Sequence, residues 1–163
     1  MATRSAVNQD QAAGPAAWYR EPGVLTRRVM NPLVAMCTRL GLSIWGSRIL
    51  EVRGRRSGEL RSVPVNVLSH EGAQYLVAPR GVTQWVRNLR AAGRGSLRKG
   101  RTRTAFAAVE LEDGAKAAIL RAYLRRWKAE LGAFFDGVGP ESSDDELAAI
   151  AASHPVFRLE VVH

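Results

Sequence analysis

Apolar and polar residues alternate with a period of two in the middle of the chain, which predicts two strands of a β-hairpin. Leu50 and Val52 are separated by a charged residue, and every second residue from Val63 to Val67 is valine. Such alternation puts one set of side chains on each face of a strand. The segment 54–58, between the strands, reads Gly-Arg-Arg-Ser-Gly, a composition typical of turns. We therefore expect arginine side chains at the hairpin tip.

The other segments divide into short strands and amphipathic helices. Asn31 and Pro32 favour a helix start, because asparagine accepts at the N-cap and proline suits the first helical turn. Apolar residues from Asp113 onward recur with helical spacing, and Ser143 three residues before Glu146 matches a capping box. Further strands are predicted at 75–78, 94–99, 101–110 and after Pro155, and a further helix at 84–91.

About six short strands, mostly joined as hairpins, together with flanking helices describe an α+β domain. The early strands are linked by turns too short for a parallel crossover, so we expect a mostly antiparallel sheet that curls into a small barrel. The polar, aperiodic segment 1–23 is predicted to be a flexible N-terminal leader. Residues 24–163 are predicted to form a single domain, since the whole chain of 163 residues has the usual length of one domain.

Composition excludes several classes of protein. The chain is 46% apolar and 24% charged, which is typical of globular proteins. Asn31 and Pro32 interrupt the longest apolar stretch, 29–37, so no membrane-spanning helix is predicted, and no signal peptide is recognised. One cysteine and three histidines give neither a disulfide framework nor a zinc site. We expect a cytoplasmic protein without a metal, and association with a membrane surface stays open as an alternative.

The net charge of +9 is unevenly distributed along the chain. Residues 1–110 hold 18 Lys and Arg against 6 Asp and Glu, whereas residues 111–163 hold 6 against 9. A basic field attracts polyanions such as nucleic acid, an anionic membrane or a cofactor with several phosphates or carboxylates. Arginine suits phosphate and carboxylate because its guanidinium group is planar. A genome rich in arginine codons would give the same composition, so charge alone leaves these alternatives open.

Several common catalytic and nucleotide-binding motifs are missing from the sequence. No G-x-G-x-x-G follows a strand, no phosphate loop ends in Gly-Lys-Ser/Thr, and no serine and histidine are spaced as in a known triad. The candidates that remain are the polar residues of the hairpin tip, Arg53, Arg55, Arg56, Ser57, Gly58 and Arg61. They would surround an anionic group, which backbone N–H groups also approach. A solvated turn has the same composition, and the residues alone do not separate the two interpretations.

Four segments of the chain resemble the deazaflavin-dependent nitroreductase family. The longest is 49–65, Ile-Leu-Glu-Val-Arg-Gly-Arg-Arg-Ser-Gly-Glu-Leu-Arg-Ser-Val-Pro-Val. The others are 30–33 (Met-Asn-Pro-Leu), Trp85 with Asn88, and 155–159 (Pro-Val-Phe-Arg-Leu), in the family's order and at compatible spacing. The resemblance implies a split β-barrel oxidoreductase that uses coenzyme F420.

The resemblance also implies roles for residues of this chain. Implied cofactor contacts are Arg55, Arg56, Ser57, Arg61, Pro64, Arg80, Gly81, Trp85 and Asn88. The first four would hold the phosphate and the start of the oligoglutamate tail, and Pro64 would lie against the ring system, which we expect inside the curled sheet. Pro79 is an implied substrate contact, at a position where family members often carry serine. As a separate hypothesis, Trp18 and Tyr19 of the leader are expected to contact the substrate as part of an apolar lid.

The reaction implied is hydride transfer from reduced F420 to a small-molecule electron acceptor, either a quinone, an enone or a nitro compound. The proton would come from solvent or from a hydroxyl such as Tyr19, Tyr123 or Thr83. Alternatives are an FMN-binding split barrel, or a basic module that binds nucleic acid or lipid without catalysis. Nucleic acid is not expected, because Trp85 is the one aromatic residue between 81 and 103. The chain is expected to be a monomer or a homodimer.

Overall fold

The computed structural model of the protein describes residues 47–162. The predicted helix that begins at Asn31, and the leader residues Trp18 and Tyr19, lie outside the described residues. The strands are β1 (Ser47–Arg53), β2 (Leu60–His70), β3 (Ala73–Val77), β4 (Arg94–Lys99), β5 (Thr102–Glu110) and β6 (Val156–Val161).

The strands form a closed barrel in the order β1-β2-β3-β6-β5-β4. All neighbouring strands are antiparallel, and β1 pairs with β2 over its whole length from Ser47 to Arg53. The ring closes between β1 and β4, which pair at only three positions around Leu50 and Leu97. This topology confirms the expected α+β fold with about six mostly antiparallel strands.

Within residues 47–162, three α-helices flank the barrel: α1 (Gln84–Ala92), α2 (Ala117–Leu131) and α3 (Asp144–Ala151). Val86 and Leu89 of α1 pack into the apolar core of the barrel. The buried residues of α2 form a second apolar cluster with Leu68 and Val77. None of the helices within 47–162 is long and apolar enough to cross a membrane.

The ends of the helices follow the local sequence. The helix predicted from Asp113 begins with a 3-10 turn, and regular α-helix starts only at Ala117. The capping box that begins α3 is confirmed: the Glu146 N–H donates to Ser143 Oγ at 3.2 Å, and the Ser143 N–H donates to Glu146 Oε2 at 2.8 Å. These reciprocal bonds satisfy two backbone N–H groups of the first turn.

The two faces of β2 belong to different environments. Val65 packs inside the barrel with apolar side chains from each of the other strands. Pro64 and Asn66, its neighbours in sequence, point to the opposite face because side chains alternate along a strand. Both are buried nonetheless, since Leu68 of the same face packs with α2 in the second cluster. The outer face of β2 is therefore a covered surface.

A buried carboxylate joins β1 to β4 and β5. Glu51 is 2% exposed and accepts from Arg98 Nε at 3.0 Å and from Arg103 Nε at 2.6 Å. The Ser96 hydroxyl donates to the same carboxylate at 3.2 Å. Burying a carboxylate is tolerated only when charges and hydrogen bonds compensate it. Glu51 is therefore a structural ion-pair centre at the closing seam of the barrel.

Candidate functional site

A cavity of about 720 Å³ lies where the β1–β2 hairpin, the loop after β3, α1 and α2 meet. This volume is within the usual range for small-molecule sites. Most of the surface of its wall is apolar. The apolar residues that line it are Val52, Val63, Pro64, Val65, Val77, Ala78, Pro79, Trp85, Leu131 and Phe134. Side chains from all six strands form the apolar core of the barrel, and Val52 and Val65 of that core also line the cavity. That the ring is held inside the curled sheet stays a prediction. The space available for a ligand borders the outer face of β2.

Arginines surround the mouth of the cavity. Five arginines and no acidic residue line it among residues 47–162: Arg55, Arg56, Arg61, Arg80 and Arg87. Arg61 has a partial counter-charge in Glu59 at 3.0 Å, and both side chains are mainly exposed. Because like charges accumulate without compensation by a carboxylate of the wall, the site favours a ligand with several negative charges.

The hairpin tip that carries three of these arginines is held by its own backbone. The Gly54 N–H donates to Glu59 O and the Gly58 N–H donates to Gly54 O, both at 2.8 Å. Gly58 has a φ of 69°, in the left-handed region that favours glycine. The turn therefore has a defined shape, although its side chains are exposed.

Asn88 of α1 fixes the position of Arg55. Its Oδ1 atom accepts from the Arg55 backbone N–H at 3.2 Å and from Arg55 Nη1 at 3.1 Å. Arg55 Nη1 also donates to Gln84 Oε1 at 2.9 Å. Through its Oδ1 atom Asn88 fastens the hairpin tip to the helix, and the residue also lines the cavity, so its contact with a ligand stays a prediction. A ligand at the rim then meets an arginine whose position is fixed in advance.

The loop after β3 brings Arg80 to the cavity wall. Gly81 has a φ of 72°, and a Cβ atom there would lie 3.1 Å from Ser153 O. Gly81 does not line the cavity, so its contribution is to shape the loop. The Arg80 guanidinium lies 4.7 Å from the centre of the Phe134 ring. This cation–π contact joins the loop to the segment after α2.

Three polar groups lie among the apolar residues of the cavity wall. Asn66 is 3% exposed, and neither of its amide atoms has a hydrogen-bond partner among residues 47–162. The Thr83 hydroxyl is also buried and unpartnered within the same part of the chain. Burial raises the pKa of Tyr123. Tyr123 is therefore a neutral phenol at physiological pH.

The structure brings most of the predicted site residues together. The cavity wall includes the predicted residues Arg55, Arg56, Ser57, Arg61, Pro64, Pro79, Arg80, Trp85 and Asn88. Sequence reasoning did not select Asn66, Gln84, Arg87 or Phe134. Arg87 lies three residues after Gln84 on the predicted helix, a spacing that would have placed both on one face. Phe134 gave no comparable signal.

Comparisons with known proteins agree with this fold. A family model described as F420H(2)-dependent quinone reductase matches residues 25–137. A solved structure described as an F420-H2 dependent reductase (FDR-A) has a TM-score of 0.53 and 19% identity, covering 71% of this chain and 95% of that chain. Another, described as a domain-swapped dimer, has a TM-score of 0.51 and 17% identity, covering 86% and 100%. These two similarities concern the fold alone. The comparison with curated proteins finds no match.

Proposed function

This chain belongs to the F420H(2)-dependent quinone reductase family, and from that premise we propose that its cavity binds coenzyme F420 beside a quinone acceptor. The protein is an F420H(2)-dependent oxidoreductase. When bound, reduced F420 supplies the hydride, and a protein of this kind contributes binding, orientation and electrostatics. The observation that carries the proposal is the polarity of the cavity: an apolar wall behind a rim of arginines.

The anionic part of F420 fits the rim. We assign its phosphate and the first carboxylates of its tail to Arg56, Arg61 and Arg87, with Arg55 held in place by Asn88. The side chains of Arg56 and Arg87 have no hydrogen-bond or ion-pair partner among residues 47–162, so their guanidinium donors are available. Arginine binds phosphate and carboxylate through paired N–H groups, which gives both affinity and orientation.

The apolar part of F420 fits the wall of the cavity. Pro64 and Trp85 offer flat apolar surfaces, and the Trp85 ring is held by Phe157 at a centroid distance of 6.0 Å. A ring system on these surfaces is shielded from water, which protects a bound hydride donor from side reactions. Binding both reactants in one cavity supplies the orientation that hydride transfer requires. The proton that completes the reduction of a quinone comes from solvent.

Titration with oxidised F420, followed by its fluorescence, tests the assignment of the rim. We expect Arg56→Ala or Arg61→Ala to weaken affinity about 10- to 100-fold, because each removes a charge-assisted contact. The matched control is Arg101→Ala, which removes an exposed arginine from the tip of the β4–β5 hairpin, away from the cavity. The Arg101 variant should bind F420 as tightly as the unmodified protein. In all three variants the affinity for F420 should fall as ionic strength rises, and the fall should be smaller where fewer arginines remain at the rim.

Two results would reject the proposal. The first is equal loss of affinity in the Arg101 variant, because binding would then depend on net charge and not on this rim. The second is tight binding of FMN with no binding of F420, because FMN carries one phosphate and would identify the alternative split-barrel oxidoreductase. Turnover of duroquinone with reduced F420 completes the test of the acceptor class.

A further inference from the structure

Asn66 is the most unusual residue of the cavity. It lies on the outer face of β2 with 3% of its surface exposed, and its amide oxygen and nitrogen are both unpartnered among residues 47–162. A buried amide without partners is costly, and native proteins almost always satisfy such groups. A side chain kept in this state at the wall of a ligand cavity is most simply explained by a partner that arrives with the ligand.

Tyr123 lies beside Asn66 on the facing helix. Its ring is fixed between Trp127, at a centroid distance of 4.7 Å, and Phe135, at 6.2 Å. Both Tyr123 and Asn66 line the cavity, and the helix that carries Tyr123 packs against β2, which carries Asn66. The two side chains therefore offer an N–H donor and an O–H donor to the same region of the cavity.

The order of residues along β2 separates this region from the arginine rim. Arg61 lies at the rim, Pro64 follows in the wall, and Asn66 comes five residues after Arg61. At about 3.3 Å per residue, the distance along the strand is about 16 Å. A ligand with its charged end at the rim would leave the region of Asn66 to a second, uncharged molecule.

We propose that Asn66 and Tyr123 form the carbonyl-binding end of the acceptor subsite, where both donate hydrogen bonds to one carbonyl oxygen of a quinone. This inference rests on the proposed function. The hydride forms a new O–H bond at the other carbonyl oxygen, its two electrons enter the ring, and negative charge accumulates on the oxygen that the two side chains hold. Donors that are already in place stabilise such charge as it develops. A proton from solvent completes the hydroquinone, F420H2 becomes oxidised F420, and Asn66 and Tyr123 stay neutral throughout.

Binding of duroquinone to the protein loaded with oxidised F420 tests the proposal without turnover, since both ligands are oxidised. Duroquinone carries a methyl group at every free ring position, so the Cys37 thiol cannot add to the ring in place of a hydrogen atom. We expect Asn66→Leu and Tyr123→Phe each to weaken duroquinone binding about 10-fold, the usual effect of losing one hydrogen bond in a closed site. Durene, which has the same ring and methyl groups without the carbonyls, should bind all variants equally in ligand-observed NMR.

Tyr75→Phe is the matched control. It removes the same hydroxyl from a partly buried tyrosine that packs against the second apolar cluster and does not line the cavity. Its affinity for duroquinone should be unchanged. Asn66→Leu should also raise the midpoint of thermal unfolding by about 2–4 °C, because an unsatisfied amide is replaced by an apolar side chain.

The outcomes separate this inference from the proposed function. If F420 does not bind the unmodified protein, the proposed function is rejected. If F420 binds and both variants keep full duroquinone affinity, only the present inference is rejected. Loss of F420 affinity with unchanged duroquinone affinity would also reject it, because the amide would then hold the cofactor. Should Asn66→Leu fail to fold, Tyr123→Phe against Tyr75→Phe decides the question alone.

Discussion

Two groups of arginines lie on the same barrel and differ in what they face. Arg98 and Arg103 converge on the buried carboxylate of Glu51. The arginines of the cavity rim, including Arg56 and Arg87, share their space with no carboxylate of the wall among residues 47–162. The first group is a neutralised structural element, and the second is an excess of positive charge at the mouth of a cavity. Clustered arginines thus indicate a ligand only where the fold leaves their charge uncompensated.

The largest expected effect comes from removing the counter-charge of the first group. Glu51→Gln keeps the shape of the side chain but withdraws the charge from two guanidinium groups, and we expect a loss of about 3–5 kcal/mol in the free energy of unfolding. Urea denaturation measures it. Glu110→Gln, which breaks the partly exposed pair with Arg90 at 2.7 Å, should cost about 1 kcal/mol or less. Equal costs in the two variants would contradict the comparison.

A smaller effect is expected where the rim is fastened to α1. Asn88→Ala removes the acceptor of both the backbone N–H and the side chain of Arg55, so we expect a loss of about 1–3 kcal/mol in stability together with weaker F420 binding. Gln84→Ala removes only one side-chain partner of Arg55 and should have a smaller effect on both quantities. Calorimetry and F420 titration on the same samples would show whether stability and F420 affinity fall together. If Gln84→Ala alone lowered both as much as Asn88→Ala, Asn88 would not be the main residue that holds Arg55 in place.

Changing the pH between 5 and 8 should leave the arginines charged, and we expect the stability of the fold to depend on the protonation of His154. Burial lowers the pKa of His154 from its ordinary value of 6.5, with the Ala78 carbonyl opposing the shift. As the pH is lowered, His154 of the unfolded chain binds a proton at a higher pH than His154 of the folded chain. The free energy of unfolding is therefore at its full value above pH 6.5 and decreases as the pH drops below that value. Unfolding measured from pH 8 to pH 5 should show this decline, and His154→Gln should flatten it. A decline of equal slope in that variant would assign the pH dependence to other groups.

The smallest predicted effect concerns Glu59, a carboxylate that pairs with an arginine of the rim. Glu59 pairs with Arg61 at 3.0 Å, and both side chains are mainly exposed. Glu59→Gln removes that competitor, so F420 affinity should increase, by about twofold, as is usual for exposed pairs. Glu71→Gln at the β2–β3 turn makes the same charge change outside the cavity and should leave affinity unchanged. Weaker binding in the Glu59 variant would show that this carboxylate helps to position Arg61.

Local pattern predicts the strands, the glycine-bounded turn and the capped helix well, because each depends on neighbours in sequence. The arginine tip followed directly from 54–58 and from the alternation on either side. The pattern misses Asn66 and Glu51, because a polar residue between apolar ones is read as facing water. Asn66 is instead covered by α2, and Glu51 by arginines about 50 residues away in the chain. Non-local partners of this kind, like Asn88 for Arg55, are set by barrel closure and cannot be read from periodicity.

The closed ring of strands has a consequence for self-association. A sheet with free borders exposes rows of backbone donors and acceptors that recruit strands from other molecules, and such borders promote aggregation. Here β1 and β4 meet, so each strand from β1 to β6 has a neighbour on both sides. The three-position seam that contains Glu51 is the shortest junction of the ring. Two copies could exchange strands only after one junction of the ring had opened. Opening the β1–β4 junction would also separate the buried ion pairs of Glu51.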